Sequence, residues 1–231
     1  MKLLFVSSDV MEFPGLLRRC RRVRKPGVRA HWSRAGLLDG HEVRLVSNGA
    51  GPGRAAAAVD SALASFHPDA LVSMGFCGAL DPSLAIADIV VGTTIFSGDR
   101  AFAAESPVTA PPHHLGPICS IAHVANTARE KSQLRTTGAI AVEMEAAGVA
   151  ERAQRLAVPF FCIKSVTDLA GETMANDFNA VLRSDGRFDT MKVLASSLRR
   201  PWVRLPELFR FRSRCVLAAR SLGDFIADCR F

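Results

Sequence analysis

Apolar runs the length of single strands recur along the chain, with helix-forming stretches between them. That alternation restricts the fold more than any other feature. Residues 2–7 (KLLFVS), 70–74 (ALVSM), 87–95 (ADIVVGTTI), 117–122 (PICSIA), 139–144 (AIAVEM) and 159–166 (PFFCIKSV) read as strands. Several do not alternate with polar residues, as expected of strands covered on both faces. Residues 29–37 and 41–47 flank Asp39-Gly40, a dipeptide suited to a two-residue hairpin turn. Between these runs, residues 51–66 are Ala-rich and follow a Gly/Pro turn. Residues 145–157 read as a helix that Pro159 closes, and residues 177–199 are helical in composition, with Gly186 as an interruption. Strands alternating with helices mean an α/β fold with a parallel or mixed sheet. Residues 96–116 read as an irregular loop. The expected organisation is one domain over 1–198 and a basic helical tail over 199–231.

The longest apolar run is strand-sized, well short of the roughly 18–20 residues that span a bilayer. The opening MKLLFVSSDV breaks at Ser, Ser and Asp, so it reads as a core strand and not as a signal peptide. Six cysteines are scattered without CxxC or Cys/His spacing, so no metal and no cofactor is expected. Free buried thiols fit a cytoplasmic setting. The net charge of +7 is unevenly placed. Residues 18–34 hold eight Lys/Arg and no acid, and residues 199–220 hold seven Arg and one Glu, which leaves the rest of the chain acidic at −7. The two basic segments attract anions or simply form a solvated face. In the tail, Leu205, Leu208, Phe209, Val216, Leu222 and Ile226 recur at roughly helical spacing, with Arg210, Arg214 and Arg220 opposite. Arg212, Leu217 and Phe225 break the pattern. Two readings stand: a helix packed on the body, or a basic amphipathic helix peripheral to an anionic inner membrane surface.

Ligands of open α/β sheets bind at the carboxyl ends of the strands. Two glycine-bearing turns are expected there, Asn48–Gly53, with Gly49, and Gly75-Phe76-Cys77-Gly78. In both, backbone N–H groups can approach a ligand closely. Four carboxylates fall at the same edge: Glu12, Glu143, Glu145 and Asp168. Acids within a context as apolar as AIAVEMEAAGVA are costly to bury unless paired or used. In a strand, Glu143 and Glu145 share one face and Met144 takes the other. Each alone is also explained as an acid complementing a helix N-terminus. Four together favour a site.

VEMEA at 142–146, PFFCIKSVTDLAGE at 159–172, PDALVSMGFCGALDPSLAIADIVVGT at 68–93 and MKLLFVSSDVMEF at the start resemble, in this order, the nucleoside phosphorylase and methylthioadenosine/S-adenosylhomocysteine nucleosidase superfamily. The resemblance implies a three-layer α/β/α phosphorylase-like fold with a mixed sheet. It also implies cleavage of a purine N-glycosidic bond with release of adenine. By resemblance Asp168 is the leaving-group acid and Glu12 activates water. Glu145 holds the ribose hydroxyls, with Met144 packed against the ring. Glu143, Gly49, Gly75, Phe76, Cys77, Gly78, His123, Val124 and Ser165 complete the substrate-binding set. The chain departs from the family where Phe76 replaces a small hydroxyl residue that helps bind phosphate in phosphorylases, which argues for water as the nucleophile. Ala79 replaces the second glycine of the central turn, the 96–116 loop is short, and His123 stands where the family has a base-stacking aromatic. TGAIAVEMEAAGVAERA with the Pro-Trp segment and Arg-rich tail also resembles the hopanoid-associated members, which act on adenosylhopane. The expected protein is a purine nucleosidase acting on an adenosine-type nucleoside with a modified 5′ group, a homodimer, and no nucleic-acid binder. A phosphate-dependent phosphorylase and a non-catalytic nucleoside-binding or membrane-associated protein remain the alternatives.

Overall fold

The computed structural model describes residues 1–198 and 200–231; Arg199, one of the tail's seven arginines, lies outside the described residues. Ten strands form one mixed sheet: β1 (Lys2–Ser7), β2 (Arg21–Arg24), β3 (Trp32–Leu38), β4 (His41–Ser47), β5 (Ala70–Ala79), β6 (Ile89–Ser97), β7 (Arg100–Ala103), β8 (His114–Ser120), β9 (Ala141–Glu143) and β10 (Phe160–Asp168). Parallel pairs run β4-β1-β5-β10, and β3 turns back antiparallel on β4. The Asp39-Gly40 turn between them has positive φ at both residues, the backbone that matches the strand twist of a tight hairpin. At the other side β5 pairs β9 as well as β10, while β10 pairs β6, β6 pairs β8 and β8 pairs β9. These five strands close on themselves, a curl that the linear strand pattern does not reveal.

The helices are α1 (Pro14–Arg19), α2 (Pro52–Leu63), α3 (Ala128–Arg135), α4 (Ala146–Leu156), α5 (Phe178–Val181), α6 (Thr190–Ser197) and α7 (Pro201–Ala227). Period-two alternation in β1 feeds two cores. Leu4 and Val6 pack with the alanines and valines of α2 and α4 on one face. Leu3 and Phe5 pack with Leu16 of α1 and Leu222, Phe225 and Ile226 of α7 on the other. Helices on both faces of a mixed sheet are the expected three layers.

Three readings of local structure need correction. Residues 96–116 are not all irregular: β6 runs on to Ser97 and turns into β7. Gly75–Gly78 is not a turn but the second half of β5, paired with Lys164, Ser165, Val166 and Asp168 of β10. In the tail, Phe225 is core and Phe209 and Val216 are exposed, because the stripe that α7 buries runs through Cys215, Ala218, Ala219 and Gly223 as well as Leu222 and Ile226. Gly15 and Gly223 permit that contact: a Cβ on Gly223 would stand 2.1 Å from the backbone carbon of Gly15. The second half of α7 therefore belongs to the domain core, while its first half carries exposed Trp202, Val203 and Phe209.

Candidate active site

The carboxyl ends of β1, β5, β9 and β10 bring the four predicted acids to one edge in two groups. Glu12 ends a one-turn 3₁₀ helix, Val10–Glu12, that follows β1. Asp9 opens that turn by accepting from Met11 N, and Glu12 reaches back to accept from Asp9 N at 2.9 Å, a reciprocal cap. Ser8 Oγ donates to the same Glu12 oxygen at 3.0 Å, and Phe76 N donates to the other at 2.8 Å. The carboxylate lies against the bare Cα of Gly75. A Cβ there would sit 2.5 Å from Glu12 Oε1, and φ of +145° already disfavours any side chain. Gly75 therefore serves the site by its lack of a side chain. Burial raises the Glu12 pKa; backbone donors and the Lys164 ammonium oppose that rise.

Lys164 is a residue that sequence reasoning missed. It lies fully buried in β10, 2.7 Å from Glu143 Oε2 and 3.8 Å from Glu145 Oε2. An uncompensated buried ammonium is costly, and a cation among three acids offsets both burial penalties. The signal was present: a lysine inside PFFCIKSV is as costly as the glutamates of AIAVEMEA. The acids differ in duty. Glu143 accepts from Glu145 N and from Ala146 N, so it caps the start of α4 and anchors Lys164. Glu145 stands one step on, at the helix entry, and accepts from Gly51 N at 3.2 Å. Desolvation first, and then Glu143 and Glu12, push its pKa to about 8, against the pull of Lys164. Met144 is buried between them.

Asp168 forms the second group. It ends β10 beside Gly78, where a Cβ would stand 2.7 Å from Asp168 Oδ2. Thr167 Oγ1 donates to its Oδ1 at 3.1 Å, and Lys131 Nζ of α3 donates to Oδ2. Burial raises the Asp168 pKa, while Lys131 and Thr167 pull it down. On balance the pKa stands above the usual carboxylate value, with burial outweighing the cation. A cavity beside Asp168 is lined by Glu172, Thr173, Met174, Phe178, Phe211 and Arg214.

The remaining candidates divide. Cys77 is buried behind the site and its thiol is pushed well up by burial, so it is no nucleophile. Ser165 is buried, and its hydroxyl has no partner among the described residues. Gly49 meets Asp185 and Gly186 rather than the acids, and Gly51 supplies the N–H of that turn. His123 is exposed and paired with Glu130, which removes it from the base-stacking position expected of it. The backbone N and O of Val124 both bond the Asn179 side-chain amide, at 2.8 and 2.9 Å. Among the described residues no group of three His, Cys, Asp or Glu could hold a metal ion, and no helix is long and apolar enough to cross a membrane.

Comparison with known proteins follows the same outline. The sequence model of the phosphorylase superfamily matches residues 23–119 and 99–190. A 5′-methylthioadenosine/S-adenosylhomocysteine nucleosidase of Shewanella piezotolerans is 28% identical over 191 residues, covering 70% of this chain and 83% of the relative. The enzyme of the same name from Colwellia psychrerythraea is 30% identical over 184 residues, covering 64% and 76%. Among solved structures, the Neisseria meningitidis nucleosidase in complex with methylthio-immucillin-A superposes with a TM-score of 0.75. The alignment covers 98% of this chain and 97% of that one, and at 19% identity the likeness speaks to the fold.

Proposed function

The chain belongs to the phosphorylase superfamily, and from that membership we propose that it is a purine nucleosidase, hydrolysing the N-glycosidic bond of an adenosine-type nucleoside and releasing adenine. The curated relatives it matches are nucleosidases by name. Glu12 carries the reading. It is a buried carboxylate held by three donors from two elements, with its pKa raised by burial. Glu145, beside it, accepts hydrogen bonds from the ribose hydroxyls, and Met144 packs against the sugar. As the C1′–N9 bond breaks, positive charge grows on the ribose, and the carboxylate of Glu12 stabilises it electrostatically. Asp168 faces N7 of the departing purine, with Gly78 leaving the room.

Phe76 supports water over phosphate as the nucleophile. Its ring stands where phosphorylases carry a small hydroxyl residue, and its backbone N–H is already committed to Glu12. The substrate is an adenosine derivative with a modified 5′ group. The exposed apolar surface of α6 and the first half of α7 (Met191, Leu198, Trp202 and Phe209) beside exposed Arg200 and Arg212 supports a lipid-bearing 5′ group of the adenosylhopane kind. It equally supports peripheral attachment to an anionic membrane from the cytoplasmic side. The assembly is a homodimer, supported by the family resemblance and checked by a sedimentation mass twice the 24.8 kDa of the chain.

The test is incubation with 5′-methylthioadenosine, inosine and an adenosyl-lipid, with and without phosphate, scoring free base. Adenine release unchanged by phosphate, with free sugar as co-product, is expected. Phosphate-dependent release with sugar 1-phosphate would make the protein a phosphorylase. Adenine binding without release would make it a non-catalytic binder.

A further inference from the structure

Val124 gives its whole peptide edge to one side chain. Its N–H donates to Asn179 Oδ1 at 2.8 Å, and Asn179 Nδ2 donates back to its carbonyl at 2.9 Å. Val124 lies in the loop after β8, which opens with Ile121 N donating to Glu143 O at 2.9 Å, beside the sugar-side acids. Asn179 belongs to α5 and directly follows Phe178, which lines the cavity beside Asp168. The pair therefore stands at the rim of the site, and Asn179 itself is exposed. A primary amide presents an acceptor and a donor on either side of one carbon. Adenine presents the same two in the same order, N1 as acceptor and the N6 amino group as donor, on either side of C6. The carboxamide of Asn179 is thus a side-chain copy of one edge of the base that the proposed reaction releases. Hypoxanthine carries the reversed pair, N1–H and O6, and would set donor against donor on Val124.

The segment that carries Asn179 is fastened without its amide. Met174 N donates to Asn126 O at 2.9 Å, Ala128 N to Thr173 Oγ1 at 3.0 Å, and Asn126 Nδ2 to Asp177 Oδ1 at 3.2 Å. Asp177 caps α5 by accepting from Asn179 N and Ala180 N, and the Phe178 ring packs against Phe188 and Phe211. Release of Val124 needs only rotation of an exposed side chain between rotamers, with α5 left in place. We propose that Asn179 is a built-in competitor of the purine: its amide holds the peptide edge of Val124 in the free protein and swings away when adenine takes that edge. The inference rests on the nucleosidase reading above. One matched pair of hydrogen bonds replaces another, so Val124 is satisfied in both states. The apparent dissociation constant of adenine is then the intrinsic one divided by the fraction of molecules in which Asn179 has released. A base of the hypoxanthine pattern displaces the amide and regains neither bond.

The experiment is calorimetry of adenine binding to wild type, Asn179→Ala and Asn179→Leu, with hydrogen exchange of the Val124 amide followed in each protein with and without adenine. Alanine removes the competitor, so adenine should bind about 3–30-fold more tightly, as two exposed hydrogen bonds allow. Leucine keeps the volume without either bond and should do the same. The Val124 amide should be protected in free wild type, exchange faster in both free variants, and be protected again by adenine in all three. Unchanged or weaker adenine binding in Asn179→Ala would overturn the proposal and leave Asn179 a clip between two loops. Tightening in alanine alone would assign the effect to bulk and overturn it too. Adenine that binds Asn179→Ala without protecting Val124, or that binds none of the three proteins, would likewise overturn it. The nucleosidase reading is tested separately on the wild type. Adenine binding without release from 5′-methylthioadenosine would overturn that reading, while the ratio of affinities still decides the role of Asn179.

Discussion

At the scale of residues, the site is a set of burial costs that offset one another. Lys164 is surrounded by Glu12, Glu143 and Glu145, and Lys131 by Asp168 and Leu169 O, so no charge is buried alone. Glu145 is held protonated by burial against the pull of Lys164, and it leaves a mark on stability. Its carboxyl ionises near 4.5 when unfolded and at about 8 when folded, so the folded state binds a proton the unfolded state has lost. That contribution is fully present below pH 4.5 and is lost as pH rises through about 8. Glu145→Gln is neutral throughout and lacks it. The wild-type Tm should therefore fall relative to that of Glu145→Gln between pH 5 and pH 8; a constant difference would contradict the shift. The acids were legible in the sequence because carboxylates in apolar runs need a reason. Lys131 was not. AREKSQLR reads as an ordinary polar helix, and only the fold turns its one lysine toward Asp168.

At the scale of elements, α7 shows where periodicity misleads. Its apolar residues suggest one continuous stripe, yet the buried face is Cys215, Ala218, Ala219, Leu222, Gly223, Phe225 and Ile226. The reason is the close crossing at Gly15 and Gly223, which favours small residues that hydropathy scarcely registers. The arginines likewise divide. Arg204 donates to Ser196 O and Arg214 pairs Glu172, so neither is free for a lipid headgroup. Arg200, Arg210, Arg212 and Arg220 remain exposed, the first three near Trp202 and Phe209 in the sequence. Each exposed arginine contributes about 1 kcal/mol at an anionic surface. Replacing Arg200 and Arg212 with Ser and Trp202 and Phe209 with Ala should abolish sedimentation with anionic vesicles and leave 5′-methylthioadenosine cleavage intact. Absence of vesicle binding by wild type, or salt-insensitive binding to neutral vesicles, would confine α7 to packing.

At the scale of the whole molecule, strand–helix alternation made the layered α/β fold legible, and the order of four short segments made the superfamily so. The closing of β5, β10, β6, β8 and β9 on one another was hidden, because pairing between strands distant in sequence leaves no local pattern. That curl sets β5 and β10 side by side, with Gly75 beneath Glu12 and Gly78 beneath Asp168. The two ends of the proposed chemistry, water at the sugar and a proton at the base, therefore lie three residues apart on one strand. The central claim is that Glu12 activates water against C1′. The direct measurement is adenine release from 5′-methylthioadenosine in phosphate-free buffer by wild type and Glu12→Gln, with substrate affinity followed by calorimetry. The account predicts rapid release by wild type, a loss of about 10²–10⁴-fold in Glu12→Gln, and retained binding in both. Glu12→Gln that releases adenine at the wild-type rate, or that folds normally and no longer binds, would contradict it.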